Sequence, residues 1–90
     1  MNKDRRKTLS DLRSQIEEVK ATLSTLKDEV ESVKDEEQEY FDNMAENFQQ
    51  GERGQAAEAA VSALEDAASK LEDIDSDLDE VMSEIENAEA

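Results

Sequence analysis

Apolar residues in the first half of the chain recur at alternating intervals of three and four positions. This series begins at Leu9 and continues without a slip for nearly four heptads. It comprises Leu9, Leu12, Ile16, Val19, Leu23, Leu26, Val30 and Val33, and the same frame continues to Tyr40 and Met44. A heptad pattern of this kind is typical of an α-helix that packs lengthwise against another helix. We therefore predict a first helix over about residues 8–43, with Thr8 as its N-cap residue.

The second half of the chain repeats the pattern with smaller side chains. Its series comprises Ala57, Ala60, Leu64, Ala67, Leu71, Ile74, Leu78, Val81, Ile85 and Ala88. This spacing predicts a second helix over about residues 53–88. Proline is absent and the only glycines are Gly51 and Gly54, so we place one turn over about residues 44–52. Two helices of matched length with a short connection favour an all-α, coiled-coil-like antiparallel hairpin, with residues 1–90 forming a single domain.

Charge is distributed unevenly along a chain whose formal net charge is −16. Residues 1–13 carry five basic and two acidic side chains, whereas residues 35–90 carry nineteen acids against Arg53 and Lys70. In an antiparallel hairpin, the basic start of the chain lies beside the acidic end of the second helix. Each of these clusters is at the unfavourable end of its own helix dipole, so we expect the two to pair. The basic cluster comprises Lys3, Arg5, Arg6 and Lys7.

Composition removes several classes of function. The chain has no cysteine and no histidine, which excludes thiolate metal sites and removes the commonest general base. A two-helix rod also offers no pocket in which a catalytic set can converge, so we expect neither an enzyme nor a cofactor. No apolar run is long enough for a membrane span, and the basic start is not followed by the apolar run of a signal peptide. We therefore expect a cytoplasmic protein.

Alternating carboxylates near the end of the chain match the acidic spacing of a calcium-binding EF-hand loop between Asp73 and Glu84. Such a loop needs glycine at its sixth position, where this chain has Leu78. The heptad pattern also continues through the segment without interruption. We therefore interpret it as the solvated acidic side of a helix and expect no metal site.

The same acidic segment is our first candidate binding surface. Residues 65–89 carry eleven acids and one lysine, which on a helix gives roughly one net negative charge per 3.7 Å of axis. A DNA strand carries about one per 3.4 Å. This charge disfavours direct binding to nucleic acid or to an anionic membrane, and it favours a protein partner with a basic surface. The residues proposed to contact that partner are Asp73, Asp75, Asp77, Asp79 and Glu80.

Two further surfaces surround the predicted turn. Polar residues grouped around an aromatic side chain make the turn a candidate recognition site, and its candidate residues are Asn43, Phe48, Glu52 and Arg53. Beside it, bulky residues at the end of the first helix face an alanine-rich arc that is broader than one helix covers. We therefore expect self-association into a helical bundle here, through Tyr40, Phe41, Met44, Val61 and Ala68.

Two stretches carry a family resemblance: the opening MNKDRRK and the segment EEQEYFDNMAENFQQGERGQAAEAAVSALEDA. They resemble small acidic helical proteins of unassigned function from phage and prophage genomes. Those proteins share a short basic start, a DEEQE-aromatic-DN stretch and an ERG motif before an alanine-rich helix. The matching residues are Glu36, Glu37, Gln38, Glu39, Phe41, Asp42, Asn43, Glu52, Arg53 and Gly54. The chain departs from the pattern at Ala45, where we expect proline in those proteins.

The resemblance implies a phage setting and no known biochemical activity. Small acidic phage proteins often inhibit host proteins that handle nucleic acid or act in defence. We therefore expect a non-enzymatic inhibitor of such a host protein, which acts in the host cytoplasm and mimics a polyanion. Two alternatives stay open: an oligomeric sponge that binds a small nucleotide-type signal at the turn, and a purely structural coiled-coil adaptor.

Overall fold

The computed structural model describes all ninety residues and is entirely helical, with 91% of the chain in helices and no strand. The first helix, α1, spans Lys3–Asp42, a short helix α2 spans Glu46–Gln49, and α3 spans Glu52–Glu89. The chain forms a rod of 68 × 15 × 13 Å in which α1 and α3 pack along their length. The predicted all-α class is confirmed. None of the three helices is both long enough and apolar enough to cross a lipid bilayer.

The first helix begins earlier than the apolar pattern predicts. Asn2 is its N-cap, and the side-chain Oδ1 of Asn2 accepts a hydrogen bond from the Arg5 amide at 2.8 Å. Asp4 lies in the first turn, where a negative charge suits the helix dipole. The prediction that Thr8 caps this helix is wrong, because Thr8 lies one turn inside it and donates its hydroxyl to the Asp4 carbonyl. Capping chemistry, rather than the first large apolar residue, sets this boundary.

Ion pairs show the order in which the two long helices meet. Arg13 contacts Glu89 near the end of the chain, whereas Lys27, two heptads later, contacts Glu72. Residue numbers therefore fall along α3 as they rise along α1.

Only half of the predicted apolar stripe on α1 lies against α3. The partly buried half recurs every seven residues and comprises Leu9, Ile16, Leu23, Val30, Glu37 and Met44. The other half remains 41–52% exposed and comprises Leu12, Val19, Leu26, Val33 and Tyr40. In the contact with α3, each of these exposed residues is replaced by the next residue in the chain. These replacements are Arg13, Lys20, Lys27, Lys34 and Phe41. The helix is thus rotated about its axis from the orientation that side-chain polarity alone favours.

The third helix is rotated in the same sense. Apart from Ala60 and Ala67, which are also partly buried, its partly or fully buried positions follow a shifted series of three-four intervals: Gly54, Ala57, Val61, Leu64, Ala68, Leu71, Asp75, Leu78, Met82, Ile85 and Glu89. Only Gly54, Ala57, Val61 and Ala68 are fully buried. Because these residues are small, the helix axes can approach closely near the turn. The prediction that Val61 and Ala68 flank the contact and face another molecule is therefore wrong, since both lie inside it.

The segment between the long helices is compact and hydrogen-bonded. Gln49, at the end of α2, donates its side-chain amide to the Phe41 carbonyl at 2.9 Å, which ties α2 to the last turn of α1. Gly51 is the N-cap of α3, and Gly54 one turn later packs against α2. The predicted turn over residues 44–52 thus contains one helical turn of its own.

Candidate functional site

The five carboxylates predicted to bind a partner do not share one face of the rod. Asp75 and Asp79 turn toward α1, where both contact the ammonium group of Lys20, and the distance from Lys20 Nζ to Asp75 Oδ1 is 3.2 Å. Asp73 and Glu80 are exposed and form no ion pair. Two of the five are therefore paired with a cation in the contact between the helices, although their side chains stay 40% and 63% exposed.

An uninterrupted acidic surface nevertheless exists on the outer side of α3. We call it the acidic face, and it comprises Asp73, Asp77, Glu80 and Glu84. These residues are spaced by four, three and four positions, which places them on one side of a helix. All four are exposed and without ion pairs in the structure. Glu84 is not among the residues predicted to contact a partner, although the same spacing identifies it.

Four basic residues on α1 are the principal charged feature that the sequence analysis missed. Arg13, Lys20, Lys27 and Lys34 recur every seven residues and border α3; we call them the basic ladder. Their side chains are 24–32% exposed, so their aliphatic stems cover part of the apolar contact. Their seven-residue spacing is visible in the sequence and could have identified them.

All seven ion pairs of the protein use the basic ladder. Across the helices, Arg13 Nε lies 2.9 Å from Glu89 Oε1, and Lys27 Nζ lies 3.5 Å from Glu72 Oε2. The basic cluster at the start of the chain forms no ion pair, so the expected pairing of that cluster with the end of α3 is wrong. Arg13 takes that role, because it borders α3 and the cluster does not. The ladder therefore neutralises the inner side of α3 and leaves its outer side charged.

Lys20 is the member of the ladder that has two carboxylates within 3.2 Å of its charged group. Its hydrogen bond with Asp79 raises the pKa of its ammonium group above the usual 10.5, and Asp75 adds to the effect while partial desolvation opposes it. A raised folded-state pKa means that the charged form stabilises the folded protein. This contribution is complete below pH 10.5 and is lost as the pH rises through the raised value.

We expect the variant Lys20→Gln to melt at a lower temperature than the wild type at neutral pH. The difference should persist up to about pH 10.5 and then shrink, because the wild-type lysine loses the charge that the variant lacks. Thermal unfolding followed by circular dichroism across this range measures it. The matched control is Lys7→Gln, which removes the same charge from a residue without an ion pair. A pH-independent difference would mean that Lys20 acts through packing rather than charge.

The turn residues singled out from the sequence lie close in the chain but do not enclose a site. Asn43 caps the end of α1, and its backbone amide donates to the Glu39 carbonyl. Phe48 is 53% exposed, and Glu52 and Arg53 lie exposed in the first turn of α3. None of the four lines any of the three surface grooves. The structure therefore offers these residues as surface contacts.

The grooves instead follow the long helices. One of about 370 Å³ lies between Lys20, Lys27 and Leu71. A wider one of about 560 Å³ lies between Leu9 and the end of α3, where three residues of the acidic face form its rim. No group of three or more acidic side chains in the chain is arranged so that it could hold a metal ion. Comparison with protein-family models, with curated proteins and with solved structures finds no match to this chain.

Proposed function

We propose that this protein is a non-enzymatic inhibitor built as an antiparallel helical hairpin, whose acidic face occupies a basic, nucleic-acid-binding surface of a host protein. The observation that supports this most directly is the division of charge on α3. Carboxylates on its inner side are paired with the basic ladder, whereas the acidic face is left unpaired and exposed.

The spacing of the acidic face suits such a surface. Its four charges span the eleven helical steps from Asp73 to Glu84, which is roughly 16 Å at the helical rise, so successive charges lie on average about 5.5 Å apart along the axis. A nucleic-acid strand carries about one charge per 3.4 Å, so the acidic face offers fewer charges per length, at a spacing that the long side chains of lysine and arginine can bridge. The ion pairs of the ladder hold α3 against α1, so little ordering is needed on binding.

The resemblance of the turn and the basic start to small acidic phage proteins favours a phage origin and a bacterial target, in the cytoplasm of the host cell. Binding of a nucleotide-type signal at the turn has no comparable support, because Asn43, Phe48, Glu52 and Arg53 line no groove. We therefore retain polyanion mimicry as the proposed function.

Capture from a bacterial extract tests this proposal. We expect the immobilised protein to retain a nucleic-acid-binding protein at low salt, and both added duplex DNA and high salt to release it. Release by DNA follows from competition for one basic surface, and release by salt follows from the electrostatic origin of the affinity. The control is bovine albumin, which is also acidic, on the same support. Retention of a partner that DNA fails to displace would contradict mimicry.

A further inference from the structure

Seven large apolar side chains on the two long helices remain about half exposed. On α1 they are Leu12, Val19, Leu26, Val33 and Tyr40, and on α3 they are Ile74 and Val81. They recur at seven-residue intervals, and on α3 the same frame includes Ala60, Ala67 and Ala88. A stripe of this regularity differs from the scattered exposed apolar residues of an ordinary surface.

The two stripes lie on the same side of the rod. On each helix, every residue of the stripe follows a contact residue by three positions in the sequence. Leu12 follows Leu9 in this way on α1, and Ala60 follows Ala57 on α3. The displacement therefore has the same sense around each helix axis. Because residue numbers run in opposite directions along α1 and α3, equal displacements on the two helices point to one side of the pair. The basic ladder, four residues beyond the contact residues, lies on the other side. We call the combined stripes the apolar face.

The exposed area of the chain is that of an incomplete fold. A compact monomer of 10.1 kDa is expected to expose about 5,300 Å². This chain exposes 6568 Å² and fully buries four residues of ninety. The excess, on the order of 1,300 Å², exceeds the roughly 800 Å² that each partner contributes to a standard protein interface. A second molecule of suitable shape on the apolar face would remove this excess.

We infer that the apolar face is the interface with a second copy of this chain, and that the pair of copies forms an antiparallel four-helix bundle with the two turns at opposite ends. A two-fold axis across the rod sets residues at equal distances on either side of its centre against one another, so the two side chains of each such pair must fit together. On α1 the centre is Leu26, with valine seven residues away on both sides. On α3 the centre is Ile74, with alanine fourteen residues away on both sides.

The two centres also lie at the same level of the rod. Lys20 meets Asp75 and Lys27 meets Glu72, so Leu26 is close to the level of Ile74. One axis can therefore pass by both centres. It places Leu26 against Leu26 of the second copy and Ile74 against its own equivalent.

Charge decides between the two possible orientations of the second copy. Residues 35–58, which surround the turn, carry eight acids and Arg53 as their only base. A bundle with both turns at one end would gather the two acidic segments together. With the turns at opposite ends, each acidic segment instead lies beside the basic start of the other copy, where residues 1–13 carry five bases. Opposite charges thus meet between the two α1 helices at both ends of the bundle.

The variant Leu26→Glu tests the interface, with Ala21→Glu as the control that adds the same charge at an exposed position off the apolar face. We expect light scattering to give wild type and control a mass of twice 10.1 kDa, and Leu26→Glu a mass of one chain over the same concentrations. If the hairpin folds only as a dimer, Leu26→Glu will lose helical structure together with the dimer. A second measurement is therefore made on a dimer that stays folded. A monomeric wild type at every accessible concentration would overturn the inference.

The absence of native cysteine makes the second measurement direct. A single Leu26→Cys substitution should form a disulfide-linked dimer on mild oxidation, because the two-fold axis brings residue 26 of both copies together. Ile74→Cys should do the same, whereas Ala21→Cys should not. Crosslinking only in a mixture of Leu26→Cys and Ile74→Cys would place the turns at one end and overturn the proposed orientation. This outcome is independent of any host partner and therefore separate from the proposed function.

Discussion

Replacing Gly54 with alanine is expected to disrupt the turn end of the rod and to lower the free energy of unfolding by about 3 kcal/mol or more. A Cβ atom at this position would lie 2.5 Å from Gln49 Cα and nearer still to the Gln49 carbonyl group. These are backbone atoms, so no side-chain rotation relieves the overlap. α2 would have to move away from α3 and give up the hydrogen bond from Gln49 to Phe41.

The matched control for this prediction is Gly51→Ala in the same turn. A Cβ atom there would lie 3.5 Å from the Asn47 carbonyl oxygen and 3.6 Å from that of Phe48, which is ordinary contact. Neither glycine has a positive φ, so backbone strain enters neither variant. We expect Gly51→Ala to change stability by less than about 1 kcal/mol, through the weaker capping of alanine. Urea unfolding followed by circular dichroism compares the two, and equal stabilities would mean that α2 does not pack on Gly54 in solution.

Neutralising the acidic face is expected to abolish most of the binding to a host partner while leaving the fold intact. The variant replaces Asp73, Asp77, Glu80 and Glu84 with asparagine or glutamine. Each charge that meets a cation on a partner is worth about 1 kcal/mol or more when it is desolvated, so the affinity should fall well over tenfold. The fold should persist, because none of the four forms an ion pair within the protein. Binding to the captured partner is measured by titration calorimetry, and helix content by circular dichroism.

Two control variants distinguish the effect of where the charges lie from the effect of the net charge on affinity. The first removes four unpaired acids of α1 by the substitutions Glu17→Gln, Glu18→Gln, Asp28→Asn and Glu29→Gln, which change the net charge by the same amount. This variant should bind nearly as well as the wild type. The second, Asp75→Asn with Asp79→Asn, should lower stability, because both carboxylates hold Lys20. Equal losses of affinity in the acidic-face variant and the first control would mean that overall charge, and no particular face, drives binding.

The candidate binding surface was predictable in its chemistry but only partly in its residues. Carboxylate density along residues 65–89 identified α3 as the charged helix. The choice of Asp75 and Asp79 treated every acid as unpaired, whereas both contact Lys20. Which acids are neutralised depends on the basic ladder, and the ladder contributes only when α1 has a definite rotation. Glu84 was overlooked for a simpler reason, since it lies beyond the alternating run that drew attention to Asp73.

The sequence by itself determined the helices, the place of the turn and the polarity of charge along the chain. These properties follow from local spacing and composition: heptad intervals, the absence of proline, two glycines and a basic start. Even the start of α1 was set locally, by the capping side chain of Asn2.

Only the tertiary structure decided which half of each apolar stripe is buried. Turning α1 one way packs Leu12 and Val19 against α3, whereas turning it the other way packs the stems of Arg13 and Lys20 there. Both rotations bury apolar atoms, so the pattern of polarity does not separate them. The observed one brings cations beside the carboxylates of α3 and sets the small residues Ala57 and Ala68 where the helices approach closely. These gains arise between residues far apart in the chain, which is why they become visible only after the helices are paired.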